Sequence, residues 1–166
     1  PFNGFFTPGL AAGKVKMLYD ESLDRYYILG ARDLNFSGQY TDLSYNNVPF
    51  TVDGYMIAIN GANGAEVWRK ELNTGYSLPD NKPYGLIKDL DSNIYLSGYY
   101  YRLSSAPPAT FGNYTLPSLV SGHTPFVMKM NSSGDVQWTK TTEGYSSTTY
   151  TGYRFARGPI VLNGNE

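Results

Sequence analysis

Few residues in this 166-residue chain could do chemistry, and they are oxygen and ring donors rather than strong nucleophiles. There is no Cys, which removes disulfides, thiolate metal sites and a Cys nucleophile. The single His, His123, stands in Ser121-Gly122-His123-Thr124-Pro125, at the mouth of an expected strand. A catalytic His needs a nucleophile and an orienting acid. No G-x-S-x-G elbow accompanies it, so His123 reads as a loop histidine. Asp89-Leu90-Asp91-Ser92-Asn93 alternates oxygen-bearing side chains, as calcium loops do. It lacks the sixth-position glycine and the distant bidentate Glu, because Ile94-Tyr95 already begin a strand, so it reads as a hairpin turn. Nothing selects two of the fourteen acids as a glycosidase pair. No catalytic, metal or cofactor-binding residue is assigned, and no cofactor is expected.

The tyrosines are more suggestive. Tyr99, Tyr100 and Tyr101 are consecutive, and Tyr145, Tyr150 and Tyr153 crowd one further segment. Neighbours on a strand face opposite ways, so one or two of each cluster are expected at the surface. Exposed Tyr offers rigid amphipathic contact area, which suits protein or sugar partners. The plainer expectation is packing between sheets with the hydroxyls wet at the rim. Three N-x-[ST] triplets begin at Asn35, Asn113 and Asn131. Asn35 and Asn113 fall in long loops and would carry glycans if the source is a eukaryotic secreted protein. Asn131 falls in a tight hairpin and is the poorer acceptor.

Composition narrows the class. Aromatic residues are 16% and charged residues only 16%, which argues against disorder. Thirteen Lys plus Arg against fourteen Asp plus Glu leave no basic excess for phosphates, so nucleic acid is disfavoured as a partner. No apolar run is long enough for a transmembrane helix.

The chain repeats itself. Tyr26-Tyr27-Ile28-Leu29-Gly30 returns as Ile94-Tyr95-Leu96-Ser97-Gly98 and again as Ile160-Val161-Leu162-Asn163-Gly164. Tyr55-Met56-Ile57-Ala58-Ile59-Asn60 returns as Phe126-Val127-Met128-Lys129-Met130-Asn131. Each runs on through a Gly to a Trp: Gly64 to Trp68, then Gly134 to Trp138. Short apolar runs bounded by Gly, Asn, Asp and Ser predict strands. They fall near Lys14–Tyr19, Arg25–Ala31, Gly54–Asn60 and Ala65–Glu71 in one unit. The second unit has them near Tyr84–Lys88, Asn93–Tyr99, Pro125–Asn131 and Asp135–Thr141. A third keeps two, near Arg154–Ala156 and Ile160–Asn163. The middle connections, 32–53 and 100–124, are expected to be long loops. No stretch has helical spacing.

The predicted class is all-β: antiparallel four-stranded sheets stacked face to face as blades of a β-propeller, about two and a partial third. Residues 1–13 form a lead-in or the closing strand of a preceding blade, 14–76 the first repeat, 77–144 the second and 145–166 the start of a third. Trp68 and Trp138 are expected to pack between neighbouring sheets. Ten strands cannot close a ring of such blades. The chain is therefore expected to be a segment of a longer polypeptide, with assembly from several copies as the alternative.

The stretch Asn93-Ile94-Tyr95-Leu96-Ser97-Gly98, then Thr110-Phe111-Gly112, then Pro125 through Gly134 to Trp138, resembles the bacterial β-propeller repeats of the SBBP type. The first unit is looser, and its Met56 to Trp68 segment is also similar to quinoprotein-like propeller repeats. The resemblance covers roughly residues 14–166. It departs from the family in its longer middle connections and in Thr124, where Asp53 of the first unit precedes the aromatic. It implies an extracellular or surface-attached location, often without catalysis. The expected function is thus a non-enzymatic structural or interaction (adhesion) module whose partners are other protein chains or further blades. The alternatives are a lectin-like sugar binder using exposed tyrosines, and part of a propeller enzyme whose active site lies elsewhere.

Overall fold

The computed structural model describes residues 2–3, 15–32, 42–52, 54–74, 82–102, 105–117 and 122–141. They contain, in chain order, β1 (Phe2–Asn3), β2 (Lys16–Asp20), β3 (Arg25–Ala31), β4 (Ser44–Tyr45), β5 (Val48–Pro49), β6 (Gly54–Asn60) and β7 (Glu66–Asn73). There follow β8 (Lys82–Lys88), β9 (Ile94–Arg102), β10 (Thr110–Phe111), β11 (Tyr114–Thr115), β12 (Gly122–Met130) and β13 (Val136–Thr141). No helix occurs among the described residues. The protein is all-β with antiparallel sheets, as the repeat pattern predicts. The strands expected in the third unit, and Gly164 with them, lie outside the described residues.

Two meanders make the body. β2-β3-β6-β7 are neighbours in order, and so are β8-β9-β12-β13. The repeated sequence motifs occupy matching places. Gly30 lies opposite Tyr55 across β3 and β6, and Gly98 lies opposite Phe126 across β9 and β12. A Cβ built on Gly30 would come within 2.5 Å of the Tyr55 hydroxyl. At Gly30 the Tyr55 ring leaves no room for a side chain. Burial pushes the Tyr55 hydroxyl up to about 12.

The two sheets share one core. Tyr27, Leu29, Met56, Ala58 and Leu72 of the first meet Ile94, Leu96, Tyr100, Phe126, Met128 and Met130 of the second. Each fully buried aliphatic side chain there contributes about 1.5–3 kcal/mol. Alternation sends Tyr55, Ile57 and Ile59 to the other face of β6, where Tyr45 and Phe50 cover them. This strand is buried along both faces, which accounts for its unbroken apolar run.

The middle connections are not plain loops. Each holds a hairpin with a two-residue turn: β4-β5 around Asn46-Asn47, and β10-β11 around Gly112-Asn113. The turns need positive φ, which Asn46 (49°), Asn47 (64°) and Gly112 (58°) adopt. The hairpins correspond: the Phe50 amide bonds the Leu43 carbonyl at 2.8 Å, and the Leu116 amide bonds the Ala109 carbonyl at 2.8 Å. The second hairpin leaves its own unit. Thr110 and Phe111 pair with Asn73 and Leu72, so β10-β11 extend the first sheet to six strands. The first hairpin holds Phe2 and Asn3 in the same manner, through Tyr45 and Ser44. Its position is fixed from behind by Arg69, whose guanidinium lies 4.5 Å from the Phe50 ring centre and donates to the carbonyls of Val48 and Pro49.

Candidate functional site

Among the described residues, two regions carry organised polar or aromatic chemistry: the seam between the sheets, and the outer face of the second sheet. The seam begins at the β2-β3 turn. Asp20 is fully buried, and its Oδ1 accepts from Ser22 Oγ at 2.7 Å and lies 3.4 Å from Lys88 Nζ of the other unit. Ser22 and Ser92 hydroxyls meet at 3.1 Å across the seam. Desolvation pushes the Asp20 carboxyl up, but hydrogen bonds from Ser92 and Ser22 and the Lys88 charge outweigh it, leaving the pKa below the ordinary carboxylate value.

The corresponding turn shows why the calcium-like spacing is structural. Asp89 Oδ1 accepts from the amides of Asp91 (3.0 Å) and Asn93 (2.8 Å). Its Oδ2 accepts from Asn93 Nδ2 (2.9 Å) and the Tyr95 hydroxyl (3.1 Å). Both oxygens are spent on the turn. Burial again pushes this carboxyl up and the hydrogen bonds bring it below its ordinary value. Among the described residues no group of three or more His, Asp or Glu side chains could hold a metal ion. His123 lies within β12 opposite Tyr101, rather than in a loop.

At the same turn-bearing end of the seam, across the sheet, Trp68 stacks near Tyr27 (5.8 Å between ring centres) and donates from Nε1 to the Ser132 carbonyl at 3.0 Å. Arg25 reaches the same carbonyl at 2.6 Å. Gly134, at φ +82°, lies under the Trp68 ring: a Cβ there would meet ring carbons at 2.9 Å. Asn131 shapes this turn, accepting from the amides of Ser133 (3.0 Å) and Asp135 (2.8 Å).

Of the two tyrosine expectations, surface exposure needs correction for Tyr99 and Tyr100, while packing between the sheets describes Tyr100. Tyr99 and Tyr100 are buried, and Tyr101 is half-buried. The reason is strand length: β9 runs on to Arg102, so the cluster lies inside a paired strand rather than after it. Tyr100 turns into the shared core 6.0 Å from the Phe126 ring and donates to the Pro117 carbonyl. Tyr145, Tyr150, Tyr153 and Asn35 lie outside the described residues. Asn113 sits exposed at the tip of β10-β11.

Trp138 also departs from expectation. It keeps the company Trp68 keeps, with Tyr95 at 6.2 Å in place of Tyr27, but it is 37% exposed. Beside it on the same face lie Val127, also 37% exposed, and Lys129, whose ammonium is 5.3 Å from the Tyr95 ring centre. Sequence reasoning missed Val127, Lys129 and Tyr95 as a group. The signal was available, because alternation from Trp138 across β12 places them on one side. The arrangement presents Trp138 and Val127 to solvent between Lys129 and Lys140. No family model, curated protein or solved structure matches the chain.

Proposed function

We propose that this chain is a non-enzymatic structural and interaction module of an extracellular or cell-surface protein, built from blades of the β-propeller type. The carrying observation is the shared core: two sequence-repeated, four-stranded antiparallel meanders bury their faces against each other, with aromatic and aliphatic side chains from both. A repeat unit that cannot hide its faces alone is suited to stacking. The conspicuous carboxylates, Asp20 and Asp89, are engaged in turn and seam hydrogen bonds, so their chemistry serves the fold. The resemblance of the second repeat to SBBP-type sequences supports the location and the blade reading.

A lectin-like reading competes through one feature, the exposed Trp138 with Tyr95 beside it, which would serve as a stacking platform for a sugar ring. A glycan array probed with the intact protein and with Trp138→Ala separates the two. The module reading expects no specific glycan retained. Retention by the native protein that disappears in Trp138→Ala would replace it with the lectin.

A further inference from the structure

β2 is an outer edge of the first sheet, with β3 as its one ladder partner. A strand paired on one side only is among the first parts of a sheet to open. The chain has no Cys, so no disulfide fastens that edge. Another pair of side chains lies across the same two strands. Tyr19 and Tyr26 are direct cross-strand partners, with ring centres 4.6 Å apart and ring planes inclined at 32°. The ring pairs inside the core, such as Tyr27 with Trp68 and Tyr100 with Phe126, hold one tyrosine each and bury it completely. Tyr19 is 40% exposed and Tyr26 half-buried, so a dissolved oxidant reaches this pair at Tyr19. A proton acceptor is already in place there. The Tyr19 hydroxyl donates to Asp24 Oδ1 at 2.9 Å. The turn holds Asp24 in position: it takes φ 44°, and its carbonyl accepts from the Gly61 amide at 2.7 Å. Its carboxylate lies so close over Gly61 that a Cβ there would come within 1.9 Å of Oδ1. The hydrogen bond to Asp24, ahead of the other causes, raises the Tyr19 pKa above its ordinary value. The hydroxyl therefore stays protonated at neutral pH and yields its proton to Asp24 only as the ring loses an electron.

We propose that Tyr19 and Tyr26 are a site of oxidative coupling, joined into a dityrosine that fastens β2 to β3. The oxidant is hydrogen peroxide acting through a haem peroxidase. One electron leaves the Tyr19 ring and its phenolic proton passes to Asp24, which leaves a phenoxyl radical. Tyr26 gives an electron and its phenolic proton to that radical across the ring contact, and the restored Tyr19 is oxidised a second time. The two radicals combine between ring carbons next to the hydroxyls, where much of the unpaired electron density resides. One C–C bond forms, two ring C–H bonds break, and both phenols are restored as those hydrogens move to the oxygens. In sum the two tyrosines lose two electrons and two protons, and one peroxide becomes two waters. The ring centres are already about as far apart as those of a biphenyl, so coupling turns the rings and leaves the strands in place. The proposal stands apart from the module reading, since it needs only the pair, its acceptor and an oxidant.

The test treats the full chain with a haem peroxidase and hydrogen peroxide, isolates the monomer by size, digests it with trypsin and maps the peptides by mass. Cleavage after Lys16, Arg25 and Arg32 puts Tyr19 on Met17–Arg25 and Tyr26 on Tyr26–Arg32. The native protein is expected to give these two peptides joined, lighter than their sum by two hydrogens, with dityrosine fluorescence. Tyr19→Phe and Tyr26→Phe should each lose the joined species. Asp24→Asn, a residue that accepts the positive φ at this turn, should form it several-fold more slowly. Circular dichroism checks that each variant keeps its strands, and free tyrosine in a parallel reaction shows that the peroxidase is active. Absence of the joined peptides from the native monomer overturns the proposal. So does their persistence in Tyr26→Phe, which would place the bond at Tyr27. An unchanged rate in Asp24→Asn overturns the role of Asp24 as proton acceptor.

Discussion

Trp68 and Trp138 occupy the same position in their sheets, each beside a tyrosine one strand pair away, and they differ in what lies above them. Over Trp68 sit the Gly134 turn and the Ser132 carbonyl of the other unit. Trp138 has more than a third of its surface open. The comparison separates two contributions that a single sheet confounds: what a residue gains from its own strand neighbours, and what it gains from the sheet stacked on it. Strand order and the β6-β7 and β12-β13 registers match in the two units, although Trp68 lies opposite Ala58 and Trp138 opposite Lys129, so matched substitutions report chiefly the stacking.

The sharpest version compares the two faces of the second sheet. Leu96, fully buried in the seam, is expected to cost about 2–5 kcal/mol as Leu96→Ala in urea denaturation. Val127→Ala on the open face should stay within about 0.5 kcal/mol. Equal costs would mean that both faces are covered. Next come the tryptophans. Trp68→Ala should lose about 3 kcal/mol of stability, near the lower end for a core aromatic, while Trp138→Ala loses about 1 kcal/mol or less. The measurement is the urea midpoint at constant slope, at a concentration where the protein is monomeric.

A smaller effect distinguishes the two turn glycines. Both have positive φ, so Gly64→Ala and Gly134→Ala each carry roughly 1–2 kcal/mol of backbone strain. Only Gly134→Ala also drives a methyl into the Trp68 ring, so it should be the more damaging of the two by thermal unfolding. Finally, pH compares the two turns. Asp20 and Asp89 have folded-state pKa values below the ordinary 3.8. Their stabilisation is fully present above that value and is lost as pH falls through the lower folded values. The melting temperature should drop on acidification below about pH 4, and Asp20→Asn or Asp89→Asn should flatten the drop. A melting temperature unchanged down to pH 2 would show that these hydrogen bonds do not favour the ionised form.

Much of the fold was legible in the residues, for identifiable reasons. Gly30 announces its strand because the Tyr55 ring leaves no room for a side chain, and Gly98 repeats it opposite Phe126. Asn60 and Asn131 mark turns because their side chains bond the amides that follow. The hairpins β4-β5 and β10-β11 were missed because strands of two residues have no periodicity to read. Only Asn46-Asn47 and Gly112-Asn113, residues suited to two-residue turns, signalled them. Tyr99 and Tyr100 were misplaced because burial there depends on β9 continuing through Arg102, and its partner, Gly122 to Pro125, is remote in sequence. The exposure of Trp138 had one sign in the sequence: Lys129 lies opposite it, where Ala58 lies opposite Trp68.

One strand connection has a mechanical meaning. The β10-β11 hairpin belongs by sequence to the second repeat but completes the edge of the first sheet at Leu72 and Asn73. Ala109, Phe111 and Leu116, which flank or form that hairpin, are buried in the core that both repeats line. The repeats are therefore laced together, and neither can be cut away as an intact bead. Melting one strips an edge from the other, so calorimetry should show a single transition. A tension applied across the two repeats would have to unzip the lacing before either sheet could slide free.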